Sequence, residues 1–227
     1  AILGSLRCVG AILRLVLAPA QANISNGMRI ANTLPHLVQI ALLILAILTL
    51  LLSVDSNFTE HIGEFVLLIL IATVGSLFLV GSQDLLVIFI SLELLSLSLY
   101  ILTAFDKNSA QSSEAALKYF LFGGMSAAFL LFGFSLLYGF SNSTSLPRIA
   151  SAILANYARS PHLNPLLAIA IITTVIGFGF KIAAFPFHFW APDVYQAAPA
   201  PGAGFIASSS KVASFFIFFQ LLAVGFA

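Results

Sequence analysis

Four charged residues lie inside apolar stretches of this chain: Glu93, Lys118, Lys181 and Lys211. A charge at membrane depth costs roughly 2.5–3.5 kcal/mol by insertion scales, so each requires a partner, a wet cavity or a change of protonation. Glu93 falls within Ser91-Leu92-Glu93-Leu94-Leu95-Ser96-Leu97-Ser98-Leu99-Tyr100, where Ser96 and Tyr100 at i+3 and i+7 complete one polar stripe. Lys118 follows Glu114 by one helical turn, a spacing that suits a surface i,i+4 pair as well as a working residue. Lys181 is flanked by Phe180, Ile182, Ala183, Ala184 and Phe185, and Pro186 five residues on ends or kinks its helix. That proline frees the carbonyl near Ile182, and a freed carbonyl is tolerated at depth only inside protein or beside a wet cavity. Lys211 follows Ser208, Ser209 and Ser210, which point to a hydrated pocket. An ammonium held between desolvation and a neighbouring carboxylate can exchange a proton, and moving one charge changes the proton affinity of the next. That is the physical requirement of an electrostatically driven proton relay.

The surroundings of these residues are set by composition. Hydrophobic residues make up 60% of the chain and charged residues 7%, against about a quarter charged in soluble domains. The chain reads as an all-α polytopic membrane protein. A net charge of +1 offers no basic field for nucleic acid. The single cysteine, Cys8, excludes an internal disulfide framework, a cysteine-based zinc site and an iron–sulfur ligand set. The histidines, His36, His61, His162 and His188, are scattered without metal-ligand spacing, so neither metal nor cofactor is expected on this chain. There is no nucleotide loop, nucleophile–base pair or redox ligand set, and bond chemistry is not expected here.

Two regions are expected. Residues 1–30 carry Arg7 and Arg14 on one helical face amid Ile, Leu and Val, and read as an interfacial amphipathic helix in preference to an organellar targeting segment. Residues 31–227 read as a transmembrane bundle with spans at about 36–53, 63–81, 84–104, 115–140, 164–185 and 203–226, about 20 residues per crossing. Polar connections fall around Asp55–His61, at Gly81-Ser82-Gln83-Asp84, and at Asp106–Ser113, where Ser113 is the expected N-cap of the fourth span. The longest insertion, 141–163, holds Arg148, Arg159, Pro147 and Pro161. Loop charges alone would put the N-terminus on the matrix or cytoplasmic side.

Three ordered segments carry a resemblance. Ser91–Tyr100, Glu114-Ala115-Ala116-Leu117-Lys118-Tyr119-Phe120-Leu121-Phe122-Gly123, and Lys181-Ile182-Ala183-Ala184-Phe185-Pro186-Phe187-His188-Phe189-Trp190-Ala191-Pro192-Asp193-Val194-Tyr195 together resemble subunit 2 of NADH dehydrogenase. That subunit is an antiporter-like part of the membrane arm of respiratory complex I. The resemblance runs from about residue 60 to about residue 215. It implies proton translocation coupled at a distance to quinone reduction, in the mitochondrial inner membrane. Glu93 and Lys118 would be a charge pair, Lys181 the lysine of a broken helix near Pro186, and Lys211 the next relay lysine. FMN, iron–sulfur clusters and ubiquinone would be carried by other subunits. The implied partners are other membrane-arm subunits and lipids.

The resemblance also places the 105–113 loop on the matrix side, against the loop-charge count. The six spans resemble helices three to eight of the antiporter-like fold. Either the sequence is incomplete or the subunit is split, and the split, with a complementary chain bearing the missing helices, is the expectation. Pro201-Gly202-Ala203-Gly204 departs from the family pattern and predicts a looser turn before the last span. Two rivals stand beside this reading: a subunit of a multi-subunit cation/proton antiporter, and a half-subunit that only scaffolds the membrane arm.

Overall fold

The computed structural model of the chain describes residues 1–17, 23–24, 29–30, 33–54, 58–159 and 164–226. The helices are α1 (Ile2–Leu17), α2 (Thr33–Leu52), α3 (Ile62–Val80), α4 (Leu85–Thr103), α5 (Ala110–Ser141), α6 (Leu146–Arg159), α7 (Pro165–Ile182), α8 (Trp190–Ala197), α9 (Ala200–Ala207) and α10 (Ser209–Gln220). A π-helical turn, Leu221–Gly225, follows α10. Two-residue strands β1 (Asn23–Ile24) and β2 (Arg29–Ile30) pair antiparallel between α1 and α2. Among the described residues, six helical stretches are long and apolar enough to cross a membrane: α2, α3, α4, α5, α7 and the run Ala200–Gly225. The protein is an all-α, multi-pass membrane bundle. Asp55 in the first polar connection, and Pro161 and His162 in the long insertion, lie outside the described residues.

Small residues set the helix crossings. A Cβ on Gly177 of α7 would lie 2.5 Å from Leu130 Cγ of α5, so only glycine permits this approach. Ser126 Oγ on α5 donates to the Gly177 carbonyl at 2.8 Å, a cross-helix bond of the kind that ties apolar bundles together. At the α3–α4 crossing a Cβ on Gly75 would lie 2.9 Å from the Leu95 backbone nitrogen. These contacts set α7, which carries Lys181, against α5, and α4, which carries Glu93, against α3.

Four expectations about the elements are corrected. The fourth span begins at Ala110, a turn before Ser113, because Ser109 Oγ accepts the Ser112 N–H at 3.2 Å. Ser112 Oγ in turn donates to the Thr103 carbonyl at 2.6 Å and ties the start of α5 to the end of α4. The 141–163 insertion is not simply polar coil, because Leu146 and Ile149 bury one face of α6 while Arg148 points outward. Residues 201–204 are helical within α9, with Pro201 in the first turn, where a missing N–H costs nothing.

The last span is interrupted at Ser208, whose backbone (φ −106, ψ −77) departs from helix and whose hydroxyl donates to the Gly204 carbonyl at 2.6 Å. Near the N-terminus, the buried face of α1 carries Gly4 and Cys8, with Gly4 set against Leu50 and Val66. Arg7 and Arg14 lie on its exposed face. Burial raises the Cys8 thiol above its ordinary pKa and keeps it protonated.

Candidate functional site

The helix carrying Lys181 ends before its proline. Ala183 adopts the left-handed conformation (φ 57, ψ 42), its N–H reaching the Phe180 carbonyl at 3.2 Å while Ala184 N–H reaches Gly179 at 2.9 Å. This is a Schellman closure with alanine where glycine is usual. Pro186, the expected helix break, lies three residues beyond, in the turn that leads to α8. Carbonyls at this helix end are also used by other elements. Phe180 O accepts the indole N–H of Trp190 at 3.0 Å, and Lys181 O accepts Lys211 Nζ at 3.2 Å.

Lys181 points from the end of α7 toward α4. Its Nζ lies 3.2 Å from Glu93 Oε1 and donates to Ser96 Oγ at 2.6 Å. The lysine side chain is 8% exposed and the glutamate 25%. The polar stripe on α4 therefore faces the interior and receives the lysine. Beside it lies a cavity of ≈ 20 Å³ lined by Ser96, Tyr100, Lys181, Trp190, Ser210 and Ser214, space for about one water molecule. Ser210 and Ser214 stand one turn apart on α10, so the cavity reaches from the Lys181 side to the helix that carries Lys211.

Lys118 lies elsewhere. Its Nζ is 2.7 Å from Glu114 Oε1 and 2.7 Å from Asp193 Oδ2, and the lysine is 43% exposed. The expected Glu93–Lys118 pair is not made. Tyr119 takes the inward face of α5, stacks on Trp190 at 4.4 Å and meets Tyr100 edge-on at 4.7 Å. At about 100° per residue, Lys118 is turned away from that face. Glu93 is left to Lys181, and Lys118 to the acids nearer the surface.

Asp193 and Trp190 were not singled out as working residues by the sequence. Both sit on α8, three residues apart. Pro192-Asp193, a proline and an acid in the first turn of a helix, was the readable signal. Tyr195, further along α8, is partly buried, and burial raises its phenol above the ordinary pKa so that it stays protonated.

A profile of the family described as NADH:quinone oxidoreductase/Mrp antiporter, TM, matches residues 82–226, which include all four charged residues and both α8 residues. The chain belongs to this family. It is 54% identical over 233 residues to NADH-quinone oxidoreductase subunit N 2 of Acidobacterium capsulatum, covering 98% of this chain and 46% of that protein. NAD(P)H-quinone oxidoreductase subunit 2 of Trichodesmium erythraeum is 46% identical over 184 residues, covering 80% of this chain and 35% of that protein. A chain of respiratory complex I from Thermus thermophilus superposes with a TM-score of 0.80 at 34% identity, over 96% of this chain and 46% of that one. A chain of an archaeal membrane-bound sulfane sulfur reductase shares the fold at a TM-score of 0.75 and 23% identity. The chain thus spans less than half the length of these curated relatives.

Proposed function

We propose that this chain is part of a subunit N-type, proton-translocating membrane subunit of an NADH:quinone oxidoreductase, and that Glu93, Lys181 and Lys211 relay protons within it. The observation that carries the reading is a lysine buried at a helix end, paired with Glu93 and Ser96, whose own carbonyl receives the next lysine. Lys181 is the central carrier. It exchanges its proton when the Glu93 contact loosens, and Lys211 takes the charge onward through the water-sized cavity and the serines of α10. Lys118, held by Glu114 and Asp193, sets the field from the surface side and biases Glu93 without touching it.

In this reading the chain performs no bond chemistry and holds no cofactor. FMN, iron–sulfur clusters and ubiquinone belong to other subunits, and redox energy arrives through neighbouring membrane-arm subunits. The remaining helices of the fold come from further residues of the same polypeptide or from a complementary chain. The bacterial relatives support an energy-coupling bacterial membrane, and the mitochondrial inner membrane is the same kind of membrane for this purpose.

The test is Lys181→Met in the assembled complex, with proton uptake and NADH oxidation measured in sealed vesicles. Loss of pumping with intact assembly is expected. Unchanged pumping would remove Lys181 from the relay and favour a scaffolding half-subunit. The family description also embraces Mrp antiporters, a second reading in which the same lysines exchange protons for cations. Purification decides between them, because a complex lacking flavin, iron–sulfur and quinone-reducing subunits would establish the antiporter reading.

A further inference from the structure

Lys211 makes no ion pair among the described residues, yet it lies inside the last apolar span. Among the described residues its Nζ meets the Lys181 carbonyl at 3.2 Å and the ring of Trp190, 4.4 Å from the centroid. A tryptophan face is the strongest aromatic partner for an ammonium, and the attraction grows when water is excluded. Trp190 is buried and is itself held in two further directions. Its N–H donates to Phe180 O at 3.0 Å, and its face stacks on Tyr119 at 4.4 Å with an interplanar angle of 6°. One of those anchors is a carbonyl that also takes part in the closure at Ala183. The end of α7 therefore supplies both ligands of Lys211, one as its own carbonyl and one through the indole it fixes.

We propose that Trp190 is a positioning residue for the relay: its ring face seats the Lys211 ammonium over the Lys181 carbonyl, and its N–H bond to Phe180 holds the ring in that place. The role differs from packing. A leucine could fill much of the space and a phenylalanine could keep a face, but neither could make the bond to Phe180. Asp193, one turn further along α8, holds Lys118. The short helix is thereby fastened to both lysines, and the orientation of the ring is tied to a charge near the surface.

The proposal rests on the relay reading, and its test separates the two. Tryptophan analogues carrying one, two and four ring fluorines are placed at position 190 of the full-length protein in the assembled complex. Fluorination keeps the shape and the N–H while draining charge from the face. Protons pumped per electron should fall step by step, reaching a roughly tenfold loss for the tetrafluorinated ring, in the range expected when a desolvated contact of this kind is removed. Trp190→Phe should fall between the native protein and Trp190→Leu. Equal pumping by all fluorinated forms, beside a Lys181→Met variant that does not pump, overturns the positioning role and leaves the relay standing. A Lys181→Met variant that pumps normally overturns both. A second readout needs no turnover: the fluorine resonance of a singly fluorinated Trp190 should move when Lys211 is replaced by methionine, and an unmoved resonance also overturns the proposal.

Discussion

Two lysines of this bundle hold carboxylates in opposite surroundings. Lys118 touches Glu114 and Asp193 at 2.7 Å each and is half exposed, whereas Lys181 touches Glu93 at 3.2 Å and is nearly buried. Distance alone would rank the Lys118 cluster as the stronger. Burial reverses the ranking, because exposed ion pairs are screened and contribute little, while breaking a buried pair strands a charge in an apolar interior. The difference teaches what each site can do. The exposed cluster can set a field, and the buried pair can hold or release a proton with consequences for its neighbours.

The sharpest way to break this contrast is to replace both lysines by arginine, which stays protonated. Lys181→Arg should lower proton pumping by roughly a hundredfold or more, the low end of the loss expected when a proton-transferring group is disabled. Lys118→Arg should keep more than half of it. Equal losses, measured as proton uptake per NADH oxidised, would mean that Lys118 also carries protons. The next effect is on stability. Glu93→Ala should destabilise the subunit by about 3–5 kcal/mol by stranding the Lys181 ammonium, and the loss should shrink in the Glu93→Ala/Lys181→Met double variant. Thermal denaturation of the four forms reads this coupling, and additive losses would show that the pair is not energetically joined.

A weaker effect is expected at the exposed site. Asp193→Asn should reduce pumping only a few-fold, and the deficit should narrow as salt rises, since exposed charges are screened beyond about 10 Å at 0.1 M. A salt-independent deficit would place Asp193 with the buried pair. The smallest effect belongs to Ala183→Gly. It relieves a left-handed alanine and should raise stability by up to about 1 kcal/mol, read as a small upward shift in melting temperature.

The sequence was legible where charge met hydropathy. Glu93, Lys181 and Lys211 stand out because nothing apolar explains them, and the polar stripe of Ser96 with Glu93 correctly pointed inward. What it hid were contacts made across elements. Asp193 follows an apparent helix break and reads as a loop acid until α8 forms. Trp190 reads as core until its ring is seen beneath Lys211. The helix end was misplaced by three residues because proline is a loud signal, while the closure at Ala183 depends on Phe180 and Phe187 packing at 4.4 Å after the chain has turned. At the Ser208 kink the hydroxyl shares the Gly204 carbonyl with its own N–H, a local arrangement that hydropathy does not register. The Glu93–Lys118 pairing failed for a rotational reason: a neighbour, Tyr119, claimed the inward face.

One ligand of Lys211 is written in no side chain. The carbonyl of residue 181 is present whatever amino acid stands there, so in the proposed relay a substitution can remove the Lys181 ammonium and leave this ligand of Lys211 in place. The two steps are thereby genetically separable, and a lineage that lost Lys181 would still inherit a place for Lys211. A function lost at this position could therefore be regained by a single reversion, without rebuilding the helix end around it.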